Sequence, residues 1–105
     1  INENRHCELK GESYMEETYR FYKPILDWLR NYFLEEQELT FVFNLTYFNT
    51  STSKMIIEIL ELLKEQQSNG FKVSINWKID DDDPDMIMEV QDFENDVDVS
   101  INIIH

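Results

Sequence analysis

Leu39-Thr40-Phe41-Val42-Phe43-Asn44-Leu45-Thr46-Tyr47 decides the architecture of this chain. Leu39, Phe41, Phe43, Leu45 and Tyr47 fall on one face, with Thr40, Val42, Asn44 and Thr46 opposite. Side chains alternate across a strand, so one face is built for a core and the other for water. Downstream, Met55, Ile56, Ile59, Leu60 and Leu63 recur at spacings of three and four, which predicts a helix over about Ser51 to Gln67. Gly70 follows as a C-terminal stop. Alternation then resumes, with Phe71, Val73, Ile75, Trp77 and Ile79 set against Lys72, Ser74, Asn76 and Lys78.

Outward from this strand–helix–strand unit the pattern repeats. Tyr22, Ile25, Leu26, Leu29 and Phe33 predict a first helix over about Glu16 to Leu34, in which Pro24 should cause a kink or a fresh start near Lys23. A weaker strand is expected over about Arg5 to Lys10. A third helix is expected over Pro84 to Phe93, because proline suits a first helical turn. Val97, Val99, Ile101 and Ile103 alternate with Asp98, Ser100 and Asn102 as a last strand. The order β-α-β-α-β-α-β calls for right-handed crossovers that lay helices against a sheet. A doubly wound sheet needs strands apolar on both faces, whereas these are apolar on one. The expectation is an α/β two-layer sandwich, a mixed sheet of about four strands with all helices on one face and a wet Thr/Asn/Ser/Lys face on the other.

The 105 residues are 42% hydrophobic and 13% aromatic, enough for one domain over 1–105. The formal charge is −13, from 22 acidic and 9 basic residues. It is concentrated: Asp80 to Asp98 holds ten acidic residues and no basic one, while the other 86 carry twelve against nine. Nucleic-acid affinity comes largely from Lys and Arg neutralising phosphates, so a DNA or RNA partner is excluded. An anionic membrane surface is disfavoured for the same reason. No apolar run approaches the roughly 18–20 residues of a membrane span, and a basic start with an apolar leader is lacking. These features point to the cytoplasm. The lone Cys7 cannot form an internal disulfide and reads as a small packed residue beside a strand.

Enzymatic chemistry finds little purchase. His6 and His105 lie near the chain ends with no evident nucleophile or carboxylate partner, and Gly11 and Gly70 cannot make a glycine-rich phosphate loop. No catalytic residue, metal centre or cofactor is expected. Asp80-Asp81-Asp82-Asp83-Pro84-Asp85 lacks the spacing and the glycine of a calcium loop. It reads as a solvated turn before a helix, with a weak cation site or a docking surface for a basic partner as alternatives. The junction Phe48-Asn49-Thr50-Ser51-Thr52-Ser53-Lys54 is richer, with four consecutive hydroxyls where a strand gives way to a helix. One of them suffices as a helix cap. The run also suits a phosphoacceptor, since a helix N-terminus accommodates a phosphate.

The architecture resembles that of anti-sigma-factor antagonists (STAS domains), and several blocks resemble the SiaC family of bacterial regulatory phosphoproteins. Gly11-Glu12-Ser13-Tyr14-Met15-Glu16 is similar to that family's opening Gly-x-Ser-Tyr-Pro-Glu, with Met15 where proline is frequent. Phe21 to Leu29 is similar to its first helix. Tyr47-Phe48-Asn49-Thr50-Ser51-Thr52, followed by Lys54 and Glu58-Ile59-Leu60-Glu61-Leu62-Leu63, resembles its central block, with Thr52 in place of a serine. The likeness runs over about residues 9–95. It implies a non-enzymatic partner switch in biofilm and cyclic di-GMP signalling. Thr50 matches the residue phosphorylated by an anti-sigma-factor-kinase-like Ser/Thr kinase and dephosphorylated by a PP2C-type phosphatase. The unphosphorylated form would bind and activate a diguanylate cyclase or another output protein. Asn49, Ser51, Thr52, Ser53 and Lys54 would flank the phosphosite or contact the partner, together with the wet sheet face. The competing expectations are a constitutive acidic scaffold that docks through Asp80–Asp98, and a weak cation-binding protein.

Overall fold

A computed structural model describes residues 6–13, 18–35, 38–48, 50–80 and 83–104. The elements run β1 (His6–Ser13), α1 (Thr18–Glu35), β2 (Glu38–Phe48), α2 (Thr50–Ser68), β3 (Lys72–Lys78), α3 (Pro84–Val97) and β4 (Asn102–Ile104). The strands form one sheet in the order β1-β2-β3-β4. Where a mixed sheet was expected, all three pairs are parallel. The reason is that each connection is a helix, which returns the chain to the edge where the previous strand began. The strand order advances one step at a time, so right-handed crossovers lay all three helices on one face. The result is the expected two-layer α/β sandwich.

The core lies between the layers. Leu39, Phe41, Phe43 and Leu45 of β2 are buried with Ile75 and Trp77 of β3 and the neighbouring Ile79. The helices contribute Tyr22, Leu26, Leu29 and Phe33, then Ile56, Ile59, Leu60 and Leu63, then Met86, Val90, Phe93 and Val97. Trp77 is fully buried and stacked on both sides, 4.6 Å from Phe43 and 5.8 Å from Phe93 between ring centroids. Val42 is also buried, although it points to the open face. It stands in a row across the sheet, with Glu8 of β1 on one side and Asn76 then Asn102 on the other. Its longer neighbours shield it.

Helix ends follow their local chemistry. Gly70 takes φ +92°, a left-handed conformation that closes α2, and the Phe71 N–H donates back to the Gln66 carbonyl at 3.0 Å. Asp83 caps α3, its carboxylate accepting from the Met86 N–H at 3.1 Å, and Pro84 fills the first turn.

The structure narrows one further expectation and corrects another. α1 passes through Pro24 as one helix and does not restart at Lys23. A buried stripe of Tyr22, Leu26, Leu29 and Phe33 runs across the proline. At about 1.5–3 kcal/mol for each large side chain buried, that stripe outweighs the cost of about 3 kcal/mol for proline in a helix. The last strand begins at Asn102 and not at Val97. Val97 ends α3, Asp98 turns the chain at φ +60°, and Val99 and Ile101 are buried in extended chain before β4. The Glu94 carboxylate fixes that stretch by accepting from the Ile101 N–H at 3.1 Å.

Candidate functional site

Because the sheet is parallel, every strand ends on one edge and each crossover helix begins there. The ends of β1, β2 and β3 therefore share a rim with the starts of α2 and α3. In open α/β sheets ligands bind outside the carboxyl ends of the strands at a point where the strand order reverses, and this sheet's order does not reverse. The rim also joins two distant stretches of sequence. Gly11 pairs with Leu45, the register then slips by one, and Glu12 pairs with Tyr47 and Ser13 with Phe48. The Gly11–Ser13 block thus lies beside the strand that leads into the hydroxyl run. Local spacing carried no signal of that meeting, since register is set by tertiary pairing.

α2 begins at Thr50, immediately after Asn49, which lies outside the described residues. The side chains of Thr50 and Ser51 lie outside them as well. By helical register position 50 shares a face with Lys54 and Ile57, whereas position 52 shares one with Ile56, Ile59 and Leu63. Thr52 is accordingly fully buried, Ser53 half-buried and Lys54 exposed. Of the expected flanking residues, Thr52 faces inward and offers no contact to a partner. The signal was present, because Thr52 continues the apolar i, i+4, i+7 stripe. Lys54 forms no ion pair among the described residues. The first turn of α2 holds no acidic side chain, so its partial positive charge is left for an arriving anion.

The acidic segment is organised differently. Asp80 is exposed, Asp83 is committed to capping α3, and Asp85 sits in its first turn. Asp81 and Asp82 lie outside the described residues, as does His105. Among the described residues no three His, Cys, Asp or Glu side chains gather as a metal site. His6 is half-buried on β1. Cys7 is buried, and desolvation pushes its thiol up to about 11, which keeps it protonated and unreactive at neutral pH. No helix, among the described residues, is long and apolar enough to cross a membrane.

Two other surfaces complete the molecule. On the open face, Asn44 Nδ2 donates to Glu8 Oε2 at 3.5 Å and Asn102 Nδ2 to Asn76 Oδ1 at 3.2 Å. Between α1 and α2 runs a groove of about 570 Å³ with Lys23, Asp27 and Arg30 on one wall and Glu58, Glu61 and Glu65 on the other. Its lining is charged where small-molecule sites are mainly apolar. Within it, Lys23 and Arg30 flank Asp27 at 2.8 and 3.4 Å, and the hydrogen bond from Lys23 holds the Asp27 carboxyl below the usual carboxylate range.

Comparison with known proteins agrees with this geometry. An uncharacterized protein of Pseudomonas aeruginosa strain UCBPP-PA14 is 34% identical over 73 residues, which is 69% of this chain and 58% of the relative. The chain thus spans under two thirds of that relative's length. Apo-SiaC from Pseudomonas aeruginosa superimposes with a TM-score of 0.86 at 28% identity, over 95% of this chain and 82% of that one. SiaC in complex with the diguanylate cyclase SiaD, where SiaC is described as its activator, gives 0.87 at 28% identity over 93% and 81%. The model of the SiaC family regulatory phosphoproteins matches residues 2–105, and the chain belongs to that family.

Proposed function

We propose that this protein is a non-enzymatic switch whose state is written on Thr50 and read by an output enzyme. A Ser/Thr kinase related to anti-sigma-factor kinases adds the phosphate, and a PP2C-type phosphatase removes it. The unphosphorylated form binds and activates a diguanylate cyclase, coupling the switch to cyclic di-GMP and biofilm formation in the cytoplasm. The observation that carries this reading is the start of α2: a hydroxyl residue at the first helical position, on the carboxyl rim, with no acid in the first turn. The activator role of the structural relative supports the choice of output.

Phosphorylation adds roughly −1.5 to −2 charges and three acceptor oxygens. At the first turn of α2 that charge meets the positive end of the helix, so the fold tolerates it while the rim changes sign locally. Exposed Lys54 is one turn away, within reach to pair with the phosphate. Thr52 is buried and closed to a kinase, leaving Thr50, Ser51 and Ser53 as chemically possible acceptors. Thr50 is the one that matches the family's acceptor.

The test is the intact mass of the protein isolated from its host, followed by peptide mapping. One phosphate on Thr50 is the expected result. Thr50→Ala should then retain cyclase binding, and Thr50→Glu should weaken it. Absence of phosphate under every growth condition, or equal binding by both variants, overturns the reading in favour of a constitutive scaffold docking through its acidic segment.

A further inference from the structure

The outward side of α2 is polarised along its length. Positions 50, 54, 58, 61 and 65 follow one another at spacings of four or three, so helical register sets them in one ridge. The head of the ridge is positive: it has the helix start, with no acid in the first turn, and exposed Lys54. The rest is negative. Glu58, Glu61 and Glu65 are all exposed, and none forms an ion pair among the described residues.

The negative stretch is also one wall of the groove between α1 and α2. Arg30, on the facing wall, reaches Asp27 at 3.4 Å and leaves the glutamates alone. Buried Leu26 and Leu62 line the groove between the walls. About 570 Å³ of open space thus combines an apolar base with an uncompensated acidic side.

We propose, building on the phosphoswitch reading above, that this groove and the ridge beside it receive one helix of the output partner. Its lysines or arginines lie over Glu58, Glu61 and Glu65, and an acidic turn lies over Lys54 and the start of α2. Helices dock into grooves through a stripe of side chains at spacings of three and four. Long basic side chains suit this one, because their aliphatic stems rest on leucine while their charged ends reach carboxylates.

The charge pattern gives the switch its sign. A phosphate at position 50 claims Lys54 and faces the partner's acidic turn, so docking weakens while the groove itself is unchanged. A uniformly basic helix would do the reverse, since the phosphate would attract it. A second copy of this chain is a poor occupant. Its α3 has no basic residue, and Lys23 and Arg30 of its α1 stand around Asp27.

The probe is a synthetic peptide of roughly 16 residues, long enough to hold a helix, with glutamates in one end turn, lysines along the following turns and leucines beside them. A control peptide replaces the glutamates with lysines. Fluorescence anisotropy reads affinity, and amide chemical shifts of the full chain read the site. The first peptide should bind with a Kd on the order of 10–100 μM and shift amides within 23–30 and 54–65. Glu61→Lys and Glu58→Lys should each weaken it about tenfold, and both positions are exposed, so the core is untouched. Thr50→Glu should weaken the first peptide but not the control. No saturable binding up to about 1 mM, shifts confined to other surfaces, or unchanged affinity in both glutamate variants overturns the groove. If the glutamate variants weaken binding and Thr50→Glu does not, the groove stands and the switch at Thr50 falls. The converse result keeps the switch and removes the groove. A mass above 12.7 kDa in sedimentation with no peptide bound assigns the surface to a second copy and overturns the proposal.

Discussion

α2 and α3 start on the same rim of the same sheet, yet their first turns are opposites. α3 opens with Asp83 as its cap, Pro84 in its first turn and Asp85 close behind. Its orphan N–H groups and its positive end are already answered by carboxylates. α2 opens with Thr50, Ser51, Thr52 and Ser53 and has no acid in the first turn. Its first-turn residues are all neutral in sequence, so on the proposed reading a negative charge is added there and taken away. A permanent carboxylate makes a stable helix start; a hydroxyl makes one whose charge can be changed. On the proposed reading, the difference makes the more acidic of the two sites the less suited to regulation.

Adding charge to α2 at two positions gives the largest effects. Thr52 is fully buried on the core stripe, so Thr52→Asp places a carboxylate among Ile56, Ile59 and Leu63. We expect a loss of about 3 kcal/mol or more, in keeping with burying a charge that lacks a partner. Thr50→Asp puts the same charge two residues earlier, at the positive end of the helix, and should change stability by no more than a gain of about 0.3–1 kcal/mol. Urea denaturation of both variants reads the contrast directly. Equal losses would mean that the two positions do not differ in exposure.

Removing charge from α3 comes next. Asp83→Ala deletes the acceptor of the Met86 N–H and should cost about 1 kcal/mol, the usual penalty for losing an N-cap. Asp83→Asn should recover most of it, because the amide oxygen accepts the same bond. If alanine and asparagine behave alike in chemical denaturation, the cap contributes little and the turn is merely solvated.

Much of this contrast was legible in the residue pattern, and the exceptions have physical causes. Alternation in β2 and β3 was readable because each strand is buried on one face only. Gly70 and Pro84 marked a helix end and a helix start through backbone constraints that act locally. The last strand was misplaced because Val97, Val99 and Ile101 alternate for two reasons: a helix end, then a buried extended stretch joined by the left-handed Asp98. α1 continues through Pro24 because of tertiary burial, which no local propensity contains. At the rim, the hydroxyl run was evident, while its neighbour Gly11–Ser13 depended on register. The inward turn of Thr52 could have been read from the apolar stripe it heads.

The same comparison extends to the helix ends. α2 closes on Gly70 at φ +92°, and a methyl group there would meet nothing within 4 Å. Gly70→Ala therefore tests backbone conformation alone and should cost about 1 kcal/mol. A cost near zero in thermal unfolding would mean the turn adopts a different conformation at no expense.

The smallest effect is expected where α2 lends a charge to α3. The last turn of α3 contains no basic residue, and Asp96 and Asp98 stand near its negative end, an unfavourable arrangement. Lys64 of α2 compensates. Its half-buried ammonium donates to the Val97 carbonyl at 3.0 Å and lies 3.7 Å from the Asp98 carboxylate. The Asp98 side chain is 96% exposed, so that ion pair is largely screened, and the bond to the carbonyl dominates. Lys64→Met keeps most of the aliphatic packing and removes the charge, and should cost about 0.5–1 kcal/mol. Adding salt should change wild-type stability far less than the substitution does, because a directional hydrogen bond is not screened as an exposed ion pair is. If salt alone reproduces the loss, the interaction is the ion pair with Asp98, and the end of α3, like its start, is held by electrostatics.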